Sequence, residues 1–288
     1  MKIDVIGTTV DLLGESCVWS EADAALYWVD VRGRAMRRYH LPTREVASFP
    51  VQEMPASLAL RATGGVLLAM ESCVASFDPD SGRLEPVAAP PEPIPHQRFN
   101  DGRCDRQGRF WVGTLNDRDR DASGTLFRLG PKLQLDPVLG SVTIPNSLAW
   151  SPDGATMYFT DTTSREIWAY DFDVLTGTPS RRRVFARVQA PGTPDGSTVD
   201  AEGGLWNAEY DGWRVCRYLP DGRLDRVIDL PVQRPTCCAF GGPGLRTLFV
   251  TTAAQKLSEE ERARQPLAGR LLALDVGIAG LPEPAYRD

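Results

Sequence analysis

The 288-residue chain is 42% hydrophobic and 24% charged, a composition typical of a globular protein with a large core. Its net charge of −6, without a basic stripe in the sequence, argues against nucleic acid or an anionic membrane as a partner. No apolar run approaches the ~18 residues needed to span a bilayer, and Asp4 lies where a signal peptide needs an apolar segment, so we expect a cytoplasmic protein.

An apolar, aromatic-rich strand pattern recurs six times along the chain, at residues 26–30, 66–70, 110–114, 157–161, 205–209 and 248–252. The equivalent positions Tyr27, Leu67, Trp111, Tyr158, Trp206 and Phe249 follow one another at steps of 40, 44, 47, 48 and 43 residues. A four-stranded propeller blade has this period. Each run is followed by a segment with period-two alternation, which indicates a half-buried antiparallel strand.

The sequence therefore predicts an all-β fold, a single-domain six-bladed β-propeller over residues 1–288. The last repeat ends near Leu274, one strand short, and residues 3–6 are predicted to complete that blade and close the ring. An elongated stack of β-repeats is the alternative fold. One exception interrupts the β pattern, because Ser258 and Glu261 form a capping-box signature that predicts a short polar helix ending before Pro266, in a loop of unassigned role over residues 255–268.

Polar residues stand at the start of most innermost strands, where they are predicted to surround one mouth of the central channel. In blade order these head positions are Glu15, Ala56 with Ser57, Asn100, Asn146, Asp195 and Thr236 with Cys237. Two carboxylates that converge in a narrow channel repel unless a cation lies between them. Glu15, Asn146 and Asp195 offer hard oxygen ligands for Ca²⁺, Mg²⁺ or Mn²⁺, and an open site of this kind also accepts zinc or iron.

Other chemistries find little support in the sequence. The only histidines, His40 and His96, lie outside any nucleophile motif, and no phosphate-binding glycine loop or dinucleotide fingerprint is present. The six cysteines show neither a CxxC pair nor zinc spacing, so we expect buried thiols.

Seven segments give the chain a specific resemblance to a known family: residues 13–19, 98–102, 108–114, 144–147, 158–162, 194–196 and 238–242. Together they resemble the gluconolactonase/regucalcin (senescence marker protein) family of sugar lactonases over essentially the whole chain. The resemblance implies one catalytic divalent metal in the channel of a six-bladed propeller. Glu15, Asn146 and Asp195 match the family's metal ligands, and Arg98 and Asn100 match its substrate-contacting pair.

Two departures from the family pattern bear on substrate choice. Ser147 stands where the family often has glycine, which adds a side chain beside a predicted ligand and is expected to narrow the mouth. Arg118 falls roughly where some members place an acid that holds sugar hydroxyls.

The expected activity is metal-dependent hydrolysis of a sugar (aldono-) lactone to the sugar acid, with a place in carbohydrate metabolism and no obligate protein partner. Asp195 is the predicted general base, because a ligand carboxylate with a free oxygen accepts a proton from nearby water. Hydrolysis of an aryl ester or organophosphate is one alternative, and a calcium-binding or interaction propeller without chemistry is another.

Overall fold

A computed structural model describes residues 2–91, 96–130 and 133–287. These residues form six four-stranded antiparallel sheets that surround a central channel as propeller blades, with the first strand of each blade innermost. The six apolar runs of the sequence all lie on second strands and the alternating segments on third strands, as predicted.

The strands follow chain order blade by blade. Blade 1 contains β2 (Gly14–Ser20), β3 (Ala25–Asp30), β4 (Ala35–His40) and β5 (Glu45–Pro50). Blade 2 contains β6 (Ser57–Leu60), β7 (Val66–Ala69), β8 (Val74–Asp78) and β9 (Arg83–Ala88). Blade 3 contains β10 (Gln97–Cys104), β11 (Phe110–Asn116), β12 (Gly124–Leu129) and β13 (Leu135–Val142). Blade 4 contains β14 (Pro145–Trp150), β15 (Thr156–Asp161), β16 (Glu166–Asp173) and β17 (Thr178–Arg187). Blade 5 contains β18 (Thr193–Val199), β19 (Leu205–Tyr210), β20 (Arg214–Tyr218) and β21 (Leu224–Asp229). Blade 6 contains β22 (Pro235–Gly241), β23 (Thr247–Thr252), β24 (Leu271–Asp275) and β1 (Ile3–Ile6).

The amino-terminal strand closes the ring. β1 pairs antiparallel with β24, from Ile3 opposite Leu274 to Ile6 opposite Leu271. On the inner side, the Thr236 hydroxyl at the start of β22 donates a hydrogen bond to the carbonyl oxygen of Gly14 in β2. The last blade therefore packs on the first, and the fold is a closed ring rather than an elongated stack.

Burial falls from the second strands to the rim of each blade. Every residue of β3 and β11 is buried, whereas β17 on the rim is mostly exposed. Trp28, Trp111 and Trp206 are completely buried on second strands of alternate blades. Strands covered on both faces carry continuous apolar runs, which is why these runs were visible in the sequence.

Little of the described chain is helical. Helix α1 (Glu259–Arg264) begins after Ser258, whose hydroxyl accepts from Glu261 N while the Glu261 carboxylate accepts from Ser258 N, so the predicted capping box is confirmed. Two 3₁₀ turns lie at Thr162–Ser164 and Pro243–Leu245. No helix in the described ranges is long and apolar enough to cross a membrane. All six cysteines are unpaired thiols, five of them buried.

The carboxy-terminal segment after β24 crosses the face of the ring opposite the head residues. Its hydrogen bonds reach four blades: Gly280 N to Leu245 O, Ala201 N to Ala279 O, Tyr286 N to Leu60 O and Arg287 N to Gly108 O. The Glu283 carboxylate lies 3.4 Å from Nε of Arg103, which is buried beneath it in the channel. This end of the channel is therefore covered, and the end with the heads is the accessible one.

Candidate active site

The same bulge occurs at the start of four innermost strands. In β2, β10, β14 and β18, two residues of the inner strand stand opposite one residue of the neighbouring strand. In β2, for example, two residues lie between Glu15 and Val18, whose partners Val29 and Tyr27 are separated by one. A bulge inserts an extra residue, bends the strand and changes the direction of the side chains around it. Glu15, Asn100, Asn146 and Asp195 each lie at this bulge, which places four polar side chains at the channel mouth.

The bulges depend on unusual backbone at the residue that follows the head. Ser16 after Glu15 has φ 52° and Ser147 after Asn146 has φ 64°, in the left-handed region that costs non-glycine residues energy. Gly196 after Asp195 has a different constraint, because a Cβ there would lie 2.8 Å from the Cα of Cys237 in the neighbouring blade. Only glycine fits that approach without a shift of backbone.

A second layer of contacts joins the blades one residue deeper in the channel. Ser16 Oγ accepts from Leu58 N of the next blade at 2.9 Å, and Asp101 Oδ2 accepts from Leu148 N at 3.0 Å. Ser147 Oγ, completely buried, bonds to Ser197 Oγ. These contacts hold the heads of neighbouring blades in register.

A cavity of about 310 Å³ opens at the mouth, and it brings together all five residues that the sequence singled out. This volume is at the lower end of the ~300–1,000 Å³ typical of small-molecule sites and suits a ligand the size of a monosaccharide. Its lining consists of Leu13, Glu15, Arg32, Arg98, Asn100, Arg120, Ile144, Asn146, Thr162, Thr193, Asp195, Tyr210, Gln255 and Lys256. The carboxylates and the two asparagine amides come from the strand heads, whereas Gln255 and most of the cations come from loops.

The amide of Asn146 has a defined orientation. The Thr162 hydroxyl donates to the carbonyl oxygen of Pro194 at 2.9 Å, so its oxygen is left to accept from Asn146 Nδ2 at 2.8 Å. Asn146 Oδ1 therefore points the other way, toward Asn100, whose Nδ2 lies 2.9 Å from it. A carbonyl oxygen has two lone pairs, so Oδ1 keeps one for a ligand.

The two carboxylates of the mouth are electrostatically unfavourable on their own. Burial and the negative charge of Asp195 raise the pKa of Glu15 well above its ordinary range, and burial and Asp101 raise the pKa of Asp195. Within the described residues no side chain donates a hydrogen bond to either carboxylate; Glu15 accepts only from Ser16 N, at 3.2 Å. Both groups are thus available to an external ligand.

These donors fit a hard divalent cation. Two carboxylates and an oriented amide oxygen are the ligand types that Ca²⁺, Mg²⁺ and Mn²⁺ prefer, with water completing the coordination. No group of three or more His, Cys, Asp and Glu side chains in the described part of the chain could hold a metal. An asparagine oxygen would therefore have to complete the protein's share of the ligands.

The opposite side of the cavity is cationic. Arg98 is buried; its Nη1 donates to Asn100 Oδ1 at 3.0 Å and to Phe99 O at 2.7 Å. Its Nε lies 3.2 Å from Asp117 Oδ1, and that carboxylate also binds Arg32 and Arg120. Burial lowers the pKa of Arg98 to about 10, which leaves it protonated near neutral pH.

Residues 13–254 match the family described as the SMP-30/gluconolactonase/LRE-like region. The chain belongs to this family.

Members of the SMP-30/gluconolactonase family match along nearly the whole chain. The 6-deoxy-6-sulfogluconolactonase of Pseudomonas putida is 38% identical over 278 residues, covering 96% of this chain and 95% of the relative. The L-arabinolactonase of Azospirillum brasilense is 38% identical over 283 residues, covering 96% and 93%. The crystal structure of the calcium-binding protein regucalcin from Agrobacterium tumefaciens superposes with a TM-score of 0.94 at 31% identity, covering 99% and 97%. The resemblance seen in the sequence is confirmed.

The two departures from the family pattern take unexpected positions. Ser147 points into the second layer and does not line the cavity, so it does not narrow the mouth as expected. Arg118 is also outside the lining, with its side chain 64% exposed and paired with Asp119. Arg120, two residues further along the same loop, lines the cavity instead.

Sequence reasoning missed Thr162, Tyr210 and the cations at positions 32, 120 and 256. Thr162 belongs to one of the family motifs but had no predicted role, and the others lie at strand ends or in loops. The signal that could have drawn attention to Thr162 is its place directly after a second strand, at the same end of the blade as the heads.

A larger cavity of about 520 Å³ lies on the other side of Arg98. Its lining contains neither Glu15 nor Asp195, and Pro90 and Gln97 in its wall flank residues 92–95, which are outside the described ranges. Its volume therefore does not define a binding site, and the smaller cavity is the one lined by the predicted metal ligands.

Proposed function

We propose that this protein is a metal-dependent hydrolase that opens the ring of a sugar lactone to give the sugar acid. The observation that carries the proposal is a pair of carboxylates (Asp195 buried, Glu15 half-buried) and two asparagine amides that face one monosaccharide-sized cavity beside a buried arginine. The relatives named as lactonases of sulfogluconolactone and L-arabinolactone favour a sugar lactone over an aryl ester or organophosphate. They differ in the sugar, so the substituents of the substrate stay open.

Glu15, Asn146 and Asp195 would hold the cation. A bound divalent ion supplies Lewis-acid polarisation of the lactone carbonyl and stabilises the negative charge that develops on its oxygen. The similarity to a calcium-binding regucalcin supports a divalent cation at this site, and adding single ions back to the metal-stripped protein identifies it among Ca, Mn, Mg, Zn and Fe.

Asp195 is the proposed general base. Its carboxylate takes a proton from water as the water oxygen adds to the lactone carbonyl carbon. The bond between that carbon and the ring oxygen then breaks, and the ring oxygen receives the proton from Asp195. The products are a free hydroxyl and a carboxylic acid, so one water is consumed per ring opened.

Arg98 and Asn100 are the proposed substrate-binding pair. The contacts of Arg98 use Nε and Nη1, which leaves Nη2 uncommitted to an acceptor among the described residues. That nitrogen can donate a charge-assisted hydrogen bond to a substituent of the sugar ring. Asn100 fixes both Arg98 and Asn146, so it sets the distance between the substrate-binding side and the metal-binding side.

The test is acid release from a panel of aldonolactones by metal-stripped protein, with single divalent ions added back and spontaneous opening subtracted at mildly acidic pH. We expect metal-dependent turnover of at least one lactone. If no ion gives turnover above background, the hydrolase proposal is wrong and a calcium-binding propeller without chemistry becomes the better explanation. Turnover of a phosphotriester or aryl ester in preference to every lactone would favour the other alternative.

Asp195→Asn tests the base. We expect kcat to fall about 100-fold or more, because general-base catalysis typically contributes ~10²–10⁴. Asp221→Asn is the matched control, since Asp221 is an exposed turn residue of the same blade that bonds to Arg223. An Asp195→Asn enzyme with the activity of the control would contradict the assignment.

The predicted cytoplasmic location and the absence of an obligate protein partner stay predictions. A small-molecule sugar lactone is the partner that this proposal requires.

A further inference from the structure

Three arginines of the cavity share one carboxylate. Asp117 Oδ1 lies 2.9 Å from Arg32 Nη2, 3.2 Å from Arg98 Nε and 2.7 Å from Arg120 Nη2. All three arginines line the cavity, whereas Asp117 lies behind them and does not. Lys256 adds a further positive charge to the lining from the segment after β23.

The charges of this cluster are unbalanced. One carboxylate offsets the charge of one of the three guanidinium groups, so among the described residues the cluster keeps a net charge of +2 (three arginines less Asp117) at the cavity wall. The three guanidinium groups repel one another. Burial lowers the pKa of Arg98, and the positive charges of Arg32 and Arg120 lower it further. The same three arginines, against the effect of burial, lower the pKa of Asp117 below its ordinary range. Asp117 thus stays ionised and anchors the cluster.

The loop that carries Asp117 and Arg120 is held in a defined conformation by its own hydrogen bonds. Asn116 Oδ1 accepts from Arg118 N at 3.1 Å and from Asp119 N at 2.9 Å, and Arg120 N donates to Asn116 O at 3.1 Å. Asp117 N donates to His96 O at 2.8 Å. This turn fixes which side chains face the cavity: Arg120 does, and Arg118 points to solvent.

The cationic cluster and the predicted metal ligands belong to one cavity. Hydrogen bonds link Asn146 through Asn100 to Arg98, and the Arg98 guanidinium forms an ion pair with Asp117. A lactone whose carbonyl lies at Glu15, Asn146 and Asp195 therefore extends toward the arginines. A neutral sugar would leave the guanidinium donors there without a charged acceptor, although each guanidinium carries five N–H groups in a fork that matches an oxyanion.

We propose that Arg32, Arg98 and Arg120 form a subsite for an anionic substituent (phosphate, sulfonate or carboxylate) on the end of the lactone remote from its carbonyl. The inference rests on the proposed lactonase function and names the class of its substrate. Asp117 holds the three guanidinium groups together, and the bound oxyanion supplies the charge that the cluster lacks.

The experiment compares glucono-1,5-lactone with its 6-phosphate, its 6-sulfonate and the lactone that carries a 6-carboxylate. For the wild type we expect kcat/KM to be about tenfold or more higher for at least one charged lactone than for the neutral one, as charge-assisted hydrogen bonds warrant. The advantage should shrink as ionic strength rises, because the cavity is open to salt. The three charged lactones separate a phosphate, a sulfonate and a carboxylate preference.

Arg120→Gln is the decisive variant, and Arg118→Gln is its matched control from the same loop. Arg120→Gln should lower the charged-to-neutral ratio of kcat/KM about tenfold, Arg120→Lys should recover part of it, and Arg118→Gln should leave it unchanged. Equal efficiency on neutral and charged lactones, or equal losses on both in Arg120→Gln, would overturn the subsite while the lactonase proposal stands.

A binding measurement decides the inference even if no lactone is hydrolysed. 1,5-Anhydroglucitol and its 6-phosphate carry the sugar ring without the lactone carbonyl, so they report binding alone. By titration calorimetry we expect the 6-phosphate to bind about tenfold or more tightly than the parent, and Arg120→Gln to remove the difference. Equal affinities for the two compounds would reject the subsite independently of any activity.

Discussion

At the scale of single residues, the orientation of Asn146 decides whether its oxygen or its nitrogen faces the proposed metal site. The Thr162 hydroxyl fixes this orientation because it donates its only proton to Pro194 O, so toward Asn146 it can only accept a hydrogen bond. Outer contacts of this kind orient metal ligands and typically change metal affinity ~10–100-fold when removed. Thr162 is thus a positioning residue for Asn146.

Thr162→Val removes the hydroxyl and keeps the shape of the side chain. Asn146 Nδ2 then loses its acceptor and the amide can rotate, so we expect the Kd of the divalent ion, measured by calorimetry on metal-stripped protein, to rise about 10- to 100-fold. Unfolding should become easier by about 1–3 kcal/mol, because two buried polar groups lose a partner. Thr162→Ser keeps the hydroxyl and should bind metal like the wild type. Unchanged metal affinity in Thr162→Val would show that Thr162 does not orient the amide.

Sequence reasoning predicted residues on one side of this cavity and missed those on the other. Glu15, Asn146 and Asp195 could be predicted because a repeat of known period puts equivalent strand starts around one channel. Arg32 and Arg120 could not, because their place depends on loop turns that follow no repeat. Arg118 shows the limit clearly: the motif suggested that position, but the turn around Asn116 directs Arg120 inward instead.

At the scale of elements, two blades repeat a turn of the form D-x-x-G-x-x-W between their first and second strands. Asp105 in blade 3 and Asp200 in blade 5 each accept backbone N–H groups of the turn on one oxygen and a tryptophan indole on the other. The carboxylate thereby joins the turn to the buried Trp111 or Trp206. Blade 4 lacks this aspartate-centred turn, and in its place Ser151 Oγ accepts a hydrogen bond from Thr156 N at 2.9 Å.

Asp200→Ala should be among the most destabilising substitutions in the chain. Asp200 is completely buried, and it binds Trp206 Nε1 at 2.8 Å and Arg217 Nε at 2.7 Å. Its loss leaves several buried donors without an acceptor, so we expect about 3–5 kcal/mol less stability in urea-induced unfolding.

Asp200→Asn is a second test of this prediction, and Asp221→Ala is its control. The asparagine should also destabilise, since its NH₂ would face the donors of Trp206 and Arg217. Asp221 lies in an exposed turn of the same blade, and its substitution should change stability by no more than about 0.5 kcal/mol. If Asp200→Ala unfolds at the same urea concentration as Asp221→Ala, the turn contributes nothing to stability.

The bulges of β2, β10, β14 and β18 could not be predicted from the alternating pattern of a strand. Period-two alternation locates a strand but assumes that the pairing stays in register. The inserted residue follows from the close approach of neighbouring blades, as at Gly196 against Cys237, and this approach exists only in the assembled ring. The sequence still carries a trace of it, in the small residue that follows each predicted metal ligand: Ser16, Ser147 and Gly196.

At the scale of the whole molecule, the period of the repeats predicted the fold, but only one of the two chain ends could be placed from the sequence. The amino-terminal strand was predictable because blade 6 was visibly one strand short. The path of the carboxy-terminal segment was not, since it makes isolated contacts with several blades. Within the described residues it forms two single bridges, Arg61 with Tyr286 and Asp200 with Gly280. Isolated contacts leave no periodic pattern in a sequence.

Deletion of residues 2–7 tests the closure of the ring. The deletion removes β1, exposes the edge of β24 and uncovers part of the core against which Ile3 and Ile6 pack. We expect a loss of about 2–4 kcal/mol, which lowers the midpoint of thermal unfolding by on the order of 5–10 °C, and a new concentration-dependent aggregation through the open edge. Asp4→Ala, which removes only an exposed pair with Lys2 from the same strand, should leave both properties unchanged. Because β1 pairs with β24 alone, a deletion variant as stable and as monomeric as Asp4→Ala would mean that contacts of blade 6 with its neighbours suffice to keep the ring closed.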